Sequence, residues 1–338
     1  MKHLIAIFLL MGLLAGAVTA QDASLNVVAT TSIIADVARN VGGELVDVTS
    51  LVPPNADIHA FQPSPEDAVL IAQADVLLVN GAGLEEFLGD LLENAAVEPV
   101  VVSTGVEMLP FGGHEHEEDE THVEEAEHEE DLGILGEEGV CEAEGEHEAE
   151  AAAEDGHEHG SCDPHVWTNP RNVIIWTRNI ADAFSDADPA NADTYLANAD
   201  AYVAQLEALD AEVQEILSAI PDERRALVTN HEFLAYFAHR YEFEIVGVVI
   251  SGGSTLAEPD PRALAELIAV IKERDVPAIF AEFSANTDLA EVIAAETGIN
   301  VVTTLYSDSL SASDGPAATY VDYVRYNAHT IAEALITS

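Results

Sequence analysis

Between Gly112 and Trp167 the chain runs through a tract made almost wholly of glutamate, histidine and alanine, which closes on Asp163-Pro164-His165-Val166-Trp167. Such a tract cannot bury itself, because it is nearly devoid of large apolar side chains and carries one sign of charge at high density. Any compact structure must therefore form on either side of it. Seven histidines (His114, His116, His122, His128, His147, His157 and His159) stand among roughly twenty carboxylates, with no Lys or Arg between them. Imidazole and carboxylate oxygen are ordinary ligands of borderline divalent cations. The stretch 112–162 thus reads as a disordered, auxiliary metal-binding loop.

The formal charge of the whole chain is −52, and only about twenty units of it belong to the tract. The flanking segments are acidic too. That balance disfavours nucleic acid and anionic membranes as partners and favours cations. A salt-rich habitat would select the same surface, and composition does not separate the two causes.

Residues 1–20 have the form of a signal peptide: Lys2 and His3, an apolar run from Leu4 to Val18, and the small-residue end Val18-Thr19-Ala20. A core of about fifteen residues is short for a membrane span, which needs roughly twenty. No cysteine follows the run, so no lipid anchor is expected. An exported, soluble chain in the periplasm or outside the cell is the expectation. Cys141 and Cys162 both lie at the tract, where an oxidising compartment favours a disulfide and two thiolates adding to the metal capacity are the alternative.

Roughly 320 residues remain, enough for two domains, and a 48% hydrophobic content supports real cores. Strand-like runs alternate with helical ones: Leu25–Ala29, a helix opened by Thr30-Thr31-Ser32, Leu45–Leu51, a helix capped by Ser64-Pro65, and Val76–Val79. The same grammar returns at Ala226–Thr229, Glu244–Ile250, Ala278–Glu282 and Val301–Leu305. Alternation of this kind predicts α/β lobes with parallel sheets covered on both faces. Between them a periodic run from about Pro189 to Ile220 predicts a helix of some thirty residues and about 45 Å, long enough to run along both lobes. The expected division is 21–111 plus 163–187 for the N-terminal lobe, 188–220 for the connecting helix and 221–338 for the C-terminal lobe.

Three histidines outside the tract share one kind of position. His59 follows the second strand, His165 precedes a helix, and His231 stands where a strand hands over to a helix. Ligands of open α/β sheets bind beyond the carboxyl ends of the strands. Asp308, in the loop after the last strand, is the natural fourth ligand. The intervals are tens of residues, whereas structural zinc sites use closely spaced pairs, so the ion behaves as cargo between lobes that fold without it. Three imidazoles and a carboxylate suit tetrahedral Zn2+; an oxygen-rich set would suit manganese.

The runs Asn55-Ala56-Asp57-Ile58-His59-Ala60-Phe61-Gln62-Pro63-Ser64-Pro65, Ala74-Asp75 through Asn80-Gly81 to Leu84-Glu85, Asp163-Pro164-His165-Val166-Trp167, and Asn230-His231-Glu232-Phe233 with Tyr236-Phe237 resemble the zinc- and manganese-binding (cluster A-I) solute-binding proteins of ABC importers. The resemblance spans essentially the whole mature chain. It implies two (β/α) lobes joined by a long helix with the ion in the cleft, His59, His165, His231 and Asp308 as ligands, and a membrane permease with its ATPase as partners of a monomer. It also implies zinc, since manganese members commonly have a carboxylate where His231 stands and zinc members have a His- and acid-rich loop. One departure is Ile58, where some zinc members have an acid, which keeps water open as the fourth ligand. Manganese or iron as cargo is the alternative within the family, and a metal-stabilised surface adhesin the alternative outside it. An enzyme is not expected: His231-Glu232 begins like a zinc-protease signature, but Ala235 stands where the second histidine must be.

Overall fold

The computed structural model describes residues 24–111, 162–250, 255–256, 259–283 and 287–337. The first lobe runs β1 (Leu25–Ala29), α1 (Ser32–Gly42), β2 (Val46–Ser50), α2 (Pro65–Ala72), β3 (Val76–Val79), α3 (Gly89–Glu93) and β4 (Val100–Val101). Two long helices follow, α4 (Pro170–Ala187) and α5 (Ala192–Leu217). The second lobe runs β5 (Ala226–Thr229), α6 (Ala235–Tyr241), β6 (Glu244–Val248), α7 (Pro261–Arg274), β7 (Ala278–Glu282), α8 (Asp288–Thr297), β8 (Asn300–Leu305) and α9 (Tyr320–Thr337). Among the described residues the strands form two parallel sheets, ordered β2-β1-β3-β4 and β6-β5-β7-β8. One topology is used twice, as the repeated strand–helix grammar led us to expect.

Local signals account for the element ends. Ser64 accepts the Asp67 N–H while the Asp67 carboxylate accepts the Ser64 N–H at 2.7 Å, and Pro65 supplies the first helical residue. Thr31 caps α1 in the same way, accepting from Ile34 N–H at 3.2 Å. In the second lobe the starts of two helices have local causes. α7 begins at Pro261 because Asp260 takes the cap, and α6 begins at Ala235 because residues 231–234 are spent on a turn.

Strand side chains alternate between two separate cores. Val27, Ala29, Val76 and Leu78 face a central core, while Val28, Leu77 and Val79 face an outer one under α2. In the second lobe Leu227, Ala278 and Phe280 join that same central core, and Val228 and Ile279 face α7 and α8. The central core is therefore continuous through both lobes. Its spine is α5, whose buried stripe Tyr195, Ala199, Tyr202, Leu206, Leu209, Val213 and Leu217 recurs every three or four residues. α5 packs on α4, α1 and α9. Arg325 of α9 grips Glu212 of α5 through two bonds, at 2.7 and 2.9 Å.

The long helix is shorter than its pattern implies: 26 residues, or about 39 Å. The Asp188 carboxylate accepts from Asn191 Nδ2 at 2.6 Å and from Tyr195 Oη at 2.9 Å, so residues 188–191 form a turn before the helix begins. Leu206, fully buried at the middle of α5, tests the shared core. Leu206→Ala is expected to lower unfolding free energy by about 3 kcal/mol. Both lobes should lose stability in one denaturant transition, read by circular dichroism.

Candidate metal centre

The segments that carry His59, His231 and Asp308 leave the carboxyl ends of strands, and residues 163–165 lie beside the end of β3. Leu51 and Val52 continue from β2 by bonding to Ala29 and Thr30, which sends the chain through Asn55 to His59. His231 follows Asn230 at the end of β5, and Asp308 follows β8. His165 is held by the loop after β3: Asn80 Nδ2 donates to Pro164 O at 3.0 Å. That loop is itself tied down by Glu85, which accepts from Thr30 Oγ1 at 2.8 Å, Asn80 N–H at 2.6 Å and Gly81 N–H at 2.9 Å. Gly81 is required there, since its φ is 88° and a Cβ would meet Val101 at 2.5 Å.

His59, His165, His231 and Asp308 converge, each offering an atom within 4.8 Å of the others. Nε2 of His165 lies 3.4 Å from Nε2 of His231 and 3.5 Å from Asp308 Oδ1. Asp308 Oδ2 is 3.6 Å from His59 Nε2 and 3.9 Å from His231 Nε2. A tetrahedron with bonds of 2.0–2.1 Å has edges of about 3.3 Å, close to this spacing. His165, His231 and Asp308 are buried, and among the described residues neither carboxylate oxygen of Asp308 finds a hydrogen-bond partner. A buried carboxylate left so is costly unless a cation answers it.

Two of the rings are aimed from behind by carboxylates that sequence reasoning missed. Asp163 Oδ1 lies 2.6 Å from His165 Nδ1 and also accepts the His165 N–H at 2.9 Å. Glu282 Oε1 lies 2.6 Å from His231 Nδ1. Both bonds leave Nε2 facing the centre, which is how carboxylate–histidine pairs orient metal ligands. Asp57 accepts the His59 N–H at 2.9 Å. A signal for two of the three was present: an aspartate stands two residues before both His59 and His165, where its side chain can take the intervening turn's N–H. Glu282 looked like the end of a buried strand. Ile58 turns into the core at 1% exposure, while Asp308 is the fourth member of the cluster.

Burial alone would push the His231 pKa down, but the charge and hydrogen bond of Glu282, helped by Asp308 and Asp57, raise it to about 9. Burial raises Asp308 to about 7, with Asp57 and Glu282 adding to it and His231 opposing. Asp163 is likewise lifted to about 7 by burial. At neutral pH the metal-free cluster thus holds protons that a cation must displace.

The tract histidines His114, His116, His122, His128, His147, His157 and His159, together with Cys141 and the signal segment, are outside the described residues, as is the loop 251–254. Cys162 is described, in an antiparallel bridge with Pro110. His239 and His329 are exposed on helices, away from the cluster.

A family model described as "Zinc-uptake complex component A periplasmic" matches residues 27–334. The chain belongs to that family. Iron-binding protein YfeA of Yersinia pestis is 31% identical over 308 residues, 91% of this chain and 85% of that protein. Manganese-binding lipoprotein MntA of Halalkalibacterium halodurans is 28% identical over 319 residues, 94% of this chain and 91% of that one. The periplasmic zinc binding protein TroA of Treponema pallidum superposes with a TM-score of 0.74 at 25% identity, covering 92% of this chain and 99% of TroA. Members of the zinc-uptake component family are substrate-binding parts of metal transporters rather than enzymes, and this member is a metal ABC transporter solute-binding protein. Among the described residues no helix is long and apolar enough to cross a membrane.

If Glu282 sets the His231 pKa, Glu282→Gln in the metal-free protein should lower its midpoint from about 9 by on the order of one to two units. A pH titration of the imidazole signals by NMR reads this, and an unchanged midpoint refutes the assignment.

Proposed function

We propose that this chain captures Zn2+ outside the cytoplasm and hands it to the permease of an ABC importer, with His59, His165, His231 and Asp308 as the ligands. The observation that carries this is the convergence of three imidazole nitrogens and one carboxylate on a single buried point. Three nitrogens and one oxygen, all of borderline or hard character and near tetrahedral spacing, favour zinc over ions that prefer six oxygen ligands. Manganese or iron is the second reading, favoured by the names of the relatives MntA and YfeA.

The division we propose puts 21–111 and 163–187 in one lobe, 188–220 in the connector and 221–338 in the other, with 1–20 as an export signal and 112–162 as an auxiliary collector. A family description that prints "periplasmic" supports export. All four ligands come from one chain, which supports action as a monomer.

Zinc titrated by calorimetry should bind one equivalent tightly, and manganese should fail to displace it at equal concentration. His231→Ala should abolish that event. Because His231 is protonated up to about 9 in the metal-free protein, binding at pH 7 should release protons. The affinity should fall on acidification from pH 9 downward, steepening below 7 as Asp308 also takes its proton. This window lies above the ordinary histidine value of about 6.5 that the sequence alone suggests.

Deleting residues 113–160 should keep the single tight event and remove weaker ones. Loss of the tight event instead would reverse the roles of cluster and tract.

A further inference from the structure

Asp308 is held differently from the imidazoles it faces. His165 and His231 each have a carboxylate 2.6 Å behind the ring that fixes its aim. No such group stands behind Asp308 among the described residues, and neither of its oxygens finds a hydrogen-bond donor there. An aspartate side chain is short, with one methylene between backbone and carboxylate, so where the carboxylate can go follows the backbone closely. That backbone is a strap, residues 306–311, which leaves β8 and is bonded on both sides of the ligand.

Before the ligand, Asn327 of α9 pins Tyr306 at its N–H and C=O, at 3.1 and 2.7 Å, so the strap starts from a fixed point. The next carbonyl takes two bonds. Ser307 O accepts Tyr323 Oη at 3.0 Å and Trp167 Nε1 at 2.9 Å. A peptide unit is planar, so fixing that oxygen fixes the plane by which the chain enters Asp308. Trp167 lies two residues after His165, whose Nε2 is 3.5 Å from Asp308 Oδ1. The Ser307 carbonyl is thus a junction between two ligand-bearing segments. After the ligand, the first lobe makes the hold: Leu310 N–H donates to Ser32 Oγ at 3.0 Å, and Leu310 O accepts the Asn55 N–H at 2.8 Å. Tyr323 and Ser32 are both buried. Bonds in such surroundings are stronger than in water, and losing one leaves its partner unsatisfied.

We propose that Tyr323 and Ser32 are positioning residues that aim Asp308 at the ion, acting through the Ser307 carbonyl and the Leu310 N–H. Neither touches the cation. Tyr323, sharing its acceptor with Trp167, sets the place of Asp308 relative to His165. Ser32 stops the strap from pivoting about that junction. With either hydroxyl removed, the carboxylate swings away from the three imidazoles and a water joins the ion. This inference rests on the reading of the cluster as the cargo site.

The test uses the full chain with Zn2+ or Co2+ alone. Zinc affinity is read by chelator competition. The geometry of the site is read from the visible absorption of Co2+, which is intense in four-coordination and weakens when water adds to it. Tyr323→Phe removes only a hydroxyl and is expected to weaken zinc binding about tenfold, the upper end for one buried hydrogen bond. The cobalt absorption should fall with it, and Ser32→Ala should act in the same direction on both readings. Tyr202→Phe is the control: that phenol is equally buried, on α5, and its hydroxyl finds no partner among the described residues, so both readings should stay at wild type. A merely structural role for the two hydroxyls lowers the melting temperature and leaves the cobalt spectrum unchanged, which overturns the proposal. Wild-type zinc affinity in Tyr323→Phe overturns it as well. Should Tyr323→Phe fail to fold, Ser32→Ala decides by the same two readings. If zinc binding survives His231→Ala, the cargo reading fails and the proposal falls with it; if His231→Ala abolishes binding while Tyr323→Phe changes nothing, the proposal fails alone.

Discussion

The structure turns on a group of carboxylates taken out of water at the meeting of two lobes. Asp163, Glu282 and Asp308 are buried to 2% exposure or less. Burying an anion is expensive unless it is paired and hydrogen-bonded, and among the described residues the groups that lie against these carboxylates are imidazoles. The two carboxylates behind the rings solve their own problem by bonding Nδ1. Asp308 is left facing three Nε2 atoms with no hydrogen-bond partner on either oxygen. Burial accordingly lifts Asp308 to about 7, while the charge and hydrogen bond of Glu282, helped by Asp308, raise His231 to about 9. A divalent cation relieves it fully, and preorganised ligands spare it the work of assembling them.

That arrangement needs a scaffold able to carry such strain, and the twice-used sheet supplies it. Parallel sheets gather the loops at their carboxyl ends on one side, and the loops of two sheets with the same strand order meet at the cluster. The continuous central core matters here. Because Leu78 and Phe280 pack into one cluster with Leu206 and Leu209 of α5, the strand ends that carry the ligands are fixed relative to each other.

Much of this was legible in the residues. Period-2 strands, caps such as Ser64-Pro65 and the recurrence of histidine at strand ends point to the two-lobed α/β fold and to the four residues that the structure brings together. Other features were not legible for physical reasons. Glu282 gives no local sign of its task, because its partner His231 is 51 positions away and only the sheet order β5-β7 makes them neighbours. Glu85, whose bonds shape the loop that holds Pro164, depends equally on contacts with Thr30 and Asn80 that no periodicity reveals. The start of α5 was misjudged because Asp188 draws Asn191 and Tyr195 into a turn, and tertiary bonding of this sort overrides helix periodicity.

A solute-binding protein must also let go of what it binds, and burial makes that a structural question rather than one of ligand chemistry. Ligands locked by the same bonds that hold the core together cannot separate without local unfolding, which costs a large part of the stability of the region. His165 is in that position, since the phenols and indole that hold its segment are themselves core side chains: Trp167, Tyr236 and Tyr320.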